Sequence, residues 1–230
     1  MTLRPEEWAA LSLSLQVSLV AVILSLPLAL WVAWLLARCE FPGKSVLNAL
    51  VHLPLVLPPV VTGYLLLAAF GRNGAIGRVL EDVFGLVLAF RWTGAALAAA
   101  IMGFPLMVRA MQLAIEAVDP KLEEAAGTLG AGRIAGFALV TLPLITPGIL
   151  AGAVLGFAKA MGEFGATITF VANIPGQTQT LPSAIYAFLQ VPGGEGSAMR
   201  LVVLSIIVAL GAVLISDWLA RRVARRIGRG

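Results

Sequence analysis

One cysteine and one histidine are all that this 230-residue chain offers to metal or thiol chemistry. Cys39 alone can neither close an intramolecular disulfide nor build a thiolate cluster. His52 alone excludes a site made of several histidines, and no Ser-His or paired-carboxylate constellation stands at catalytic spacing. No GxxxxGK[ST] phosphate loop is present; GRNG (71–74) and GEGS (194–197) are too short. Charge is scarce as well, at 12% of residues against 60% hydrophobic, with mean hydropathy +0.96. A water-soluble domain of this size could not hide so much apolar surface, so lipid is its solvent. Net charge +4 and pI 9.8 would suit nucleic acid, but five of the sixteen basic residues crowd the last ten positions (Arg221, Arg222, Arg225, Arg226, Arg229). That clustering fits a flank beside anionic membrane lipid, and no nucleic-acid partner is expected.

Charges then mark off the apolar runs. Expected spans are 8–37, 45–70, 92–116, 134–160 and 200–220, each able to cross a hydrocarbon core of about 30 Å. The first is 30 residues long, whereas the apolar core of a cleavable signal has about 7–15, so it reads as a span. At about 45 Å it should tilt, protrude or bend near Pro27. Residues 163–194 are cut by Asn173, Pro175, Gly176, Gln177 and Gln179 into pieces too short to cross. They are expected as an outer re-entrant or interfacial segment whose broken backbone faces protein, water or the interface. With five crossings and 119–133 inside, ten basic residues fall inside and six outside. That excess puts the amino terminus outside and the carboxy terminus inside. A sixth crossing through 164–191 would separate the arginine tail from the loop, and is the weaker arrangement.

The loop 119–133 is the most informative segment. Asp119-Pro120 supplies an N-cap aspartate and a proline at the first helical position. Leu122, Ala125, Ala126 and Leu129 recur as one apolar stripe, with Lys121, Glu124 and Thr128 on the other side. Gly130 and Gly132 can end the helix in a left-handed cap. A short helix with an alanine-glycine face fits a partner's groove, where Glu123 or Glu124 can meet basic residues. An ordinary interfacial connector would carry the same pattern. Residues 124–143 read EAAGTLGAGRIAGFALVTLP. Glu-Ala-Ala, the glycine at Gly130 and Leu142-Pro143 opening the next span resemble the EAA loop of binding-protein-dependent ABC importer permeases. One departure is Val140, where that family often has isoleucine.

The resemblance implies an all-α polytopic membrane protein of type I ABC importer permease architecture, one transmembrane domain over 1–230 with a cytoplasmic coupling loop. It implies that Glu123, Glu124, Ala125, Ala126, Gly127, Leu129 and Gly130 carry the contact with a cytoplasmic ABC ATPase dimer. ATP and Mg would sit on that partner, leaving this chain with no cofactor and no catalysis of its own.

GEFGATITF (162–170), FPGKS (41–45) and HLPLVLPPVVTGYLLL (52–67) are similar to the molybdate branch of the family, with sulfate permeases as relatives. That likeness implies a molybdate permease in a bacterial inner membrane, served by an extracytoplasmic molybdate-binding protein that docks on 71–91 and 163–199. Tungstate, sulfate or thiosulfate are alternative solutes. An ion-driven secondary transporter is the rival class, but no internal repeat is evident and ionisable residues sit near span ends. Thr62, Gly63, Glu163, Phe164, Gly165, Thr167 and Thr169 are the candidates for pathway or gate. Glu163 reads either as a functional acid at depth or as one that merely ends a helix. Gly148, Gly152 and Gly156, like Ala95, Ala99 and Gly103, form small-residue ridges for tight packing or for a mobile subunit interface. No cage of Arg and Lys lies within the spans, so the chain conducts an oxyanion rather than capturing it. Arg72, Arg78 and Arg91 could attract an anion, although Glu81 and Asp82 favour plain solvation. A dianion entering against about 100 mV meets about 5 kcal/mol of electrical work, which another chain must supply. Two ATPase subunits need two loops, so a second copy of this chain is expected beside the first.

Overall fold

A computed structural model describes residues 3–128 and 130–227, without the side chains of 133 and 223–227. Arg229 and the side chains of Arg225 and Arg226 therefore lie outside the description. The described residues are helical throughout and contain no strand.

Helix α1 (Pro5–Arg38) has Pro5, Glu6 and Glu7 in its first turn and Arg38 in its last, the charge order that a helix dipole favours. It runs unbroken through Pro27 and is about 50 Å long. The run expected at 45–70 is not a single helix. It is α2 (Lys44–Val56) and α3 (Pro59–Phe70), bent by 112°. Leu57 precedes a proline and Pro58 precedes another, so both leave the α region, with ψ of 143° and 133°. Neither proline has an N–H to carry the ladder across. Alone, α2 spans only about 20 Å.

A short helix that sequence did not anticipate, α4 (Ala75–Phe84), leads to α5 (Trp92–Glu116). The loop helix α6 (Pro120–Thr128) follows. Then α7 (Arg133–Gly136) passes through a π-helical turn, Phe137–Thr141, into α8 (Leu142–Met161). Residues 163–194 form α9 (Gly165–Val171) and α10 (Leu181–Leu189), both too short to cross a bilayer. The last helix, α11 (Glu195–Ile227), begins five residues before the expected 200 and continues past 220. Four described helices are long and apolar enough to span a membrane, or five if the bent pair counts as one.

α5 is the axis of the bundle, packed along both α1 and α8. Its buried side is made of Ala95, Ala96, Ala98 and Ala99, then Met102, Met107 and Met111. Gly148, Gly152 and Gly156 of α8 approach Ala114, Met107 and Met107 again, and Gly103 lies against the backbone of Gly156. The small-residue ridges therefore serve packing within one chain. In lipid, where burial from water gives no driving force, such close backbone approach is what holds helices together. Leu24, Trp31 and Leu214 stand exposed on the outside, as a lipid solvent permits.

At the end opposite α6, Glu7 is fully buried and lies 2.6 Å from Arg200 of α11. Its carboxylate also accepts the Arg4 N–H, and Arg200 donates to Ser197. Ser14 of α1 accepts the N–H of Leu181, tying α10 to the same end. The 112° bend leaves an apolar groove of about 770 Å³ among α1, α2 and α5, lined by Leu24, Val51, Trp92 and Phe104. Of its lining only Ser25 and Thr93 carry hydroxyls, and Ser25 is spent on the Ala21 carbonyl, so the groove offers an oxyanion little in place of its hydration.

The α5–α8 seam makes a graded prediction. An alanine Cβ at 148 would overlap the Ala114 Cβ, which cannot move aside, whereas one at 156 meets the flexible Met107 side chain at 2.6 Å. Gly148→Ala is expected to destabilise by about 1–3 kcal/mol and Gly156→Ala by less. Thermal unfolding in one detergent measures both, and equal losses would contradict the packing described.

Candidate functional site

The loop helix α6 starts where its sequence says it should. Asp119 accepts the N–H of Lys121 at 2.9 Å, capping the N-terminus ahead of Pro120. It ends in a Schellman arrangement, with Ala131 N–H on the Ala126 carbonyl, Gly130 N–H on that of Gly127, and Gly130 at φ +90°. No residue of α6 is buried. Glu124, Ala125, Gly127 and Gly130 are exposed and Ala126 is half-covered. Leu122, the largest apolar side chain of the stripe, is 46% exposed. Leu129 lies outside the described residues. The small-residue face of α6 thus points away from the chain's own bundle.

Glu123 does the opposite. Its carboxylate accepts the Thr141 hydroxyl at 2.5 Å and lies 3.6 Å from Arg38 Nη2, while Arg38 donates to the Val118 carbonyl at 2.9 Å. The sequence reading let either Glu123 or Glu124 reach a partner. In the fold Glu123 is engaged by the chain itself, and Glu124 is the acid left free to face outward. Arg38 and Thr141 were not legible as site residues. They stand 85 and 18 positions from Glu123; Arg38 lies outside the motif, and Thr141 lies within 124–143 but not at one of its marked positions. The π-helical turn ending at Thr141 is a second local irregularity, of the kind often found at working sites.

The candidate pathway residues meet because two helix breaks meet. Gly165 opens α9 just after α8 ends, and it packs against Pro59, where α3 opens just after α2 ends; a Cβ at 165 would come within 2.8 Å of the Pro59 Cβ. One turn further, a Cβ at Gly63 would meet the Ala166 carbonyl oxygen at 2.5 Å and the Thr169 Cβ at 2.8 Å. Glycine is required at both contacts because the Ala166 backbone lies opposite Gly63 and the rigid Pro59 ring opposite Gly165. Thr62 of α3 is buried with its hydroxyl unpartnered, and Thr167 of α9 is buried as well. Thr169 bonds its own helix at the Gly165 carbonyl.

Glu163 is 3% exposed but is already matched. Lys159 donates to it at 2.8 Å and the Ala166 N–H donates at 3.0 Å, so it caps α9 as a neutralised pair. Of its two readings from sequence, the geometry supports the acid that organises a helix end. Phe164 leans on Tyr186 of α10, with ring centroids 5.4 Å apart. Beyond α9, Ala172 sits at φ +64°, a strained position for a residue with a Cβ. Arg72 is largely solvated and only 4.0 Å from Glu81, in keeping with a surface role. His52 bonds the Asn48 carbonyl of its own helix. Among the described residues no cluster could hold a metal ion.

Residues 25–229 match the family described as "Binding-protein-dependent transport system inner membrane component". The chain belongs to that family. The molybdenum transport system permease protein ModB of Escherichia coli K12 is 60% identical over 229 residues, 100% of each chain. Its namesake in Haemophilus influenzae is 55% identical, covering 97% of this chain and 98% of that one. The sulfate transport system permease protein CysT of Salmonella typhimurium is 39% identical, covering 81% and 67%. Among solved structures, a bacterial ABC transporter that imports alginate aligns with TM-score 0.74 at 19% identity, over 95% of this chain and 80% of that chain. The MetNI methionine ABC transporter aligns with TM-score 0.67 at 15% identity, over 94% of each. The fold is that of a type I ABC importer permease, a multi-pass inner-membrane component.

For a permease of this family the α3–α9 contact yields a paired prediction. Gly63→Ala should lower thermal stability by about 2 kcal/mol, because the Ala166 backbone cannot retreat. Thr62→Val keeps the shape and removes an unpartnered hydroxyl, so stability should hold or rise. A Thr62→Val protein that melts early would reveal a partner for that hydroxyl.

Proposed function

We propose that this chain is the permease subunit of an ATP-driven importer of molybdate, working with a cytoplasmic ABC ATPase dimer through α6. The observation that carries the reading is the uncovered small-residue face of α6 at one end of the bundle, within a sequence 60% identical to a molybdenum permease. The 39% identity to a sulfate permease makes sulfate the second choice of solute.

The excess of basic residues at the α6 end supports putting that end inside and the Glu7–Arg200 end outside. Glu124, Ala125, Ala126, Gly127 and Gly130 are proposed as the contact with the ATPase, with ATP and Mg held on that partner. A second copy of this chain presents the second α6 to the ATPase pair. On the outer side a molybdate-binding protein delivers the solute to 71–91 and 163–199. The solute then passes beside the paired breaks of α2–α3 and α8–α9, where small residues and freed backbone groups line the path. Irregular backbone is tolerated at membrane depth only against protein or a watery cavity, which favours this location.

Charge supports conduction over capture. Lys159, at the end of α8 just before the second break, is already matched to Glu163. A cation so paired offers a dianion no deep trap, so the oxyanion is released rather than retained. The inward electrical work is met by ATP hydrolysis on the partner. An ion-driven carrier would need unmatched titratable groups at depth, and the pairing of Glu163 speaks against that rival.

Two measurements test the proposal in proteoliposomes holding permease, ATPase and binding protein. ATP hydrolysis should rise with molybdate-loaded binding protein and much less with sulfate; the reverse order would assign the chain to sulfate. Glu124→Lys should assemble and hydrolyse ATP yet fail to move solute. Gly130→Pro should do the same, because proline fixes φ near −65° where the cap needs +90°. Normal uptake by either variant would refute the assigned contact.

A further inference from the structure

The coupling assignment explains why α6 faces outward, but leaves open how so small a helix moves anything. With no buried residue, α6 has little apolar grip on its own bundle. Its side-chain connections inward run through Glu123, and that carboxylate lies between two unlike groups. One is the Thr141 hydroxyl, which donates at 2.5 Å from the π-helical turn leading into α8. The other is Arg38, the last residue of α1, at 3.6 Å.

That second contact is an ion pair without a hydrogen bond. Arg38 spends Nη2 on the Val118 carbonyl, just before α6, and its Nε is buried with no partner. The guanidinium thus keeps donors in reserve, and the carboxylate stands beyond hydrogen-bond reach of Nη2. A charge-assisted N–H···O contact settles near 2.8 Å, so an approach of about 0.8 Å would bring the carboxylate onto Nη2 and close the pair. Arg38 is mostly covered, with its side chain 16% exposed against 33% for Glu123, so water competes weakly for the guanidinium.

We propose that Arg38 is the positioning residue of the coupling helix, a latch that holds α6 to the inner end of α1 and closes on Glu123 when the ATPase displaces the loop. The inference rests on α6 being the coupling helix. In the open form Glu123 leans on Thr141 and α6 rides with α8. In the closed form it engages the guanidinium, and α6 rides with α1. Because α1 is one unbroken helix, and its outer end is fastened to α11 by Glu7–Arg200 and to α10 by Ser14, a shift at Arg38 reaches the outer side as a rigid-body movement. Arginine suits the task because its planar fork holds a carbonyl and a carboxylate together, which a lysine point charge does not.

The experiment uses the reconstituted complex and reads solute moved per ATP hydrolysed, with assembly checked by co-purification of the ATPase. Arg38→Gln and Glu123→Gln are each expected to assemble and to lower that ratio about tenfold. The double variant should be no worse than either single one, because both remove the same contact. Arg38→Lys should recover only part of the ratio. Thr141→Val, which frees Glu123 to stay on Arg38, should also lower it while leaving the protein folded. Additive losses in the double variant, or an unchanged ratio for Arg38→Gln, would overturn the latch. Glu124→Lys serves as the reference. If it uncouples while Arg38→Gln does not, the latch alone fails; if Glu124→Lys transports normally, the coupling assignment itself is lost.

Discussion

Hydrocarbon supplies no hydrogen-bond partner, and a chain that lives in it can interrupt its helices only where other protein covers the gap. This permease interrupts them twice, at Leu57–Pro58 and at Gly162–Phe164, and the two interruptions lie against each other. Prolines make the first break and glycines make room at the second. Gly165 admits Pro59 and Gly63 admits the Ala166 carbonyl, so each gap closes the other. Glu163 supplies the carboxylate that the freed Ala166 N–H needs, and Lys159 neutralises it. The bent α2–α3 pair and the short helix that follows α8 depend on that one arrangement.

The rest of the bundle is plain by comparison. Alanine, glycine and methionine fill the seams of α5, where close approach replaces the hydrophobic effect as the cohesive force. Among the described residues, two ion pairs join helices far apart in sequence. Glu7–Arg200 ties the ends of α1 and α11, and Arg38–Glu123 ties α1 to the loop. The two pairs differ in tightness, 2.6 Å against 3.6 Å, and in what they hold. The first joins two long helices that pack as one body. The second joins the bundle to an element that has almost no other grip on it.

Much of the architecture was legible from local chemistry. Asp119-Pro120 and Gly130 define both ends of α6 through capping, which needs only neighbours in sequence. The polar cluster from Asn173 to Gln179 separates α9 from α10 for the same local reason. Two further signals are local too. The Pro58-Pro59 pair marks the bend inside an apolar run of uniform hydropathy, and α4 is amphipathic over a run too short to stand out among the spans. Glu163 was visible as an acid near glycines, but its role was not, since a salt bridge to Lys159 and a cap on Ala166 are facts of geometry.

Hydropathy, proline placement and capping residues by themselves determined that the chain is helical, that it lives in lipid, and where its outward loop begins and ends. Those properties depend on each residue's own side chain and its nearest neighbours. Only the tertiary structure decided that the two breaks face each other, that the glycine ridges pack within one chain, and that Glu123 turns inward to Arg38 while Glu124 does not. Each of these depends on the rotation of one helix about its axis relative to another. Adjacent acids differ there by about 100° of helical turn, and no linear pattern fixes which of them meets a partner many residues away.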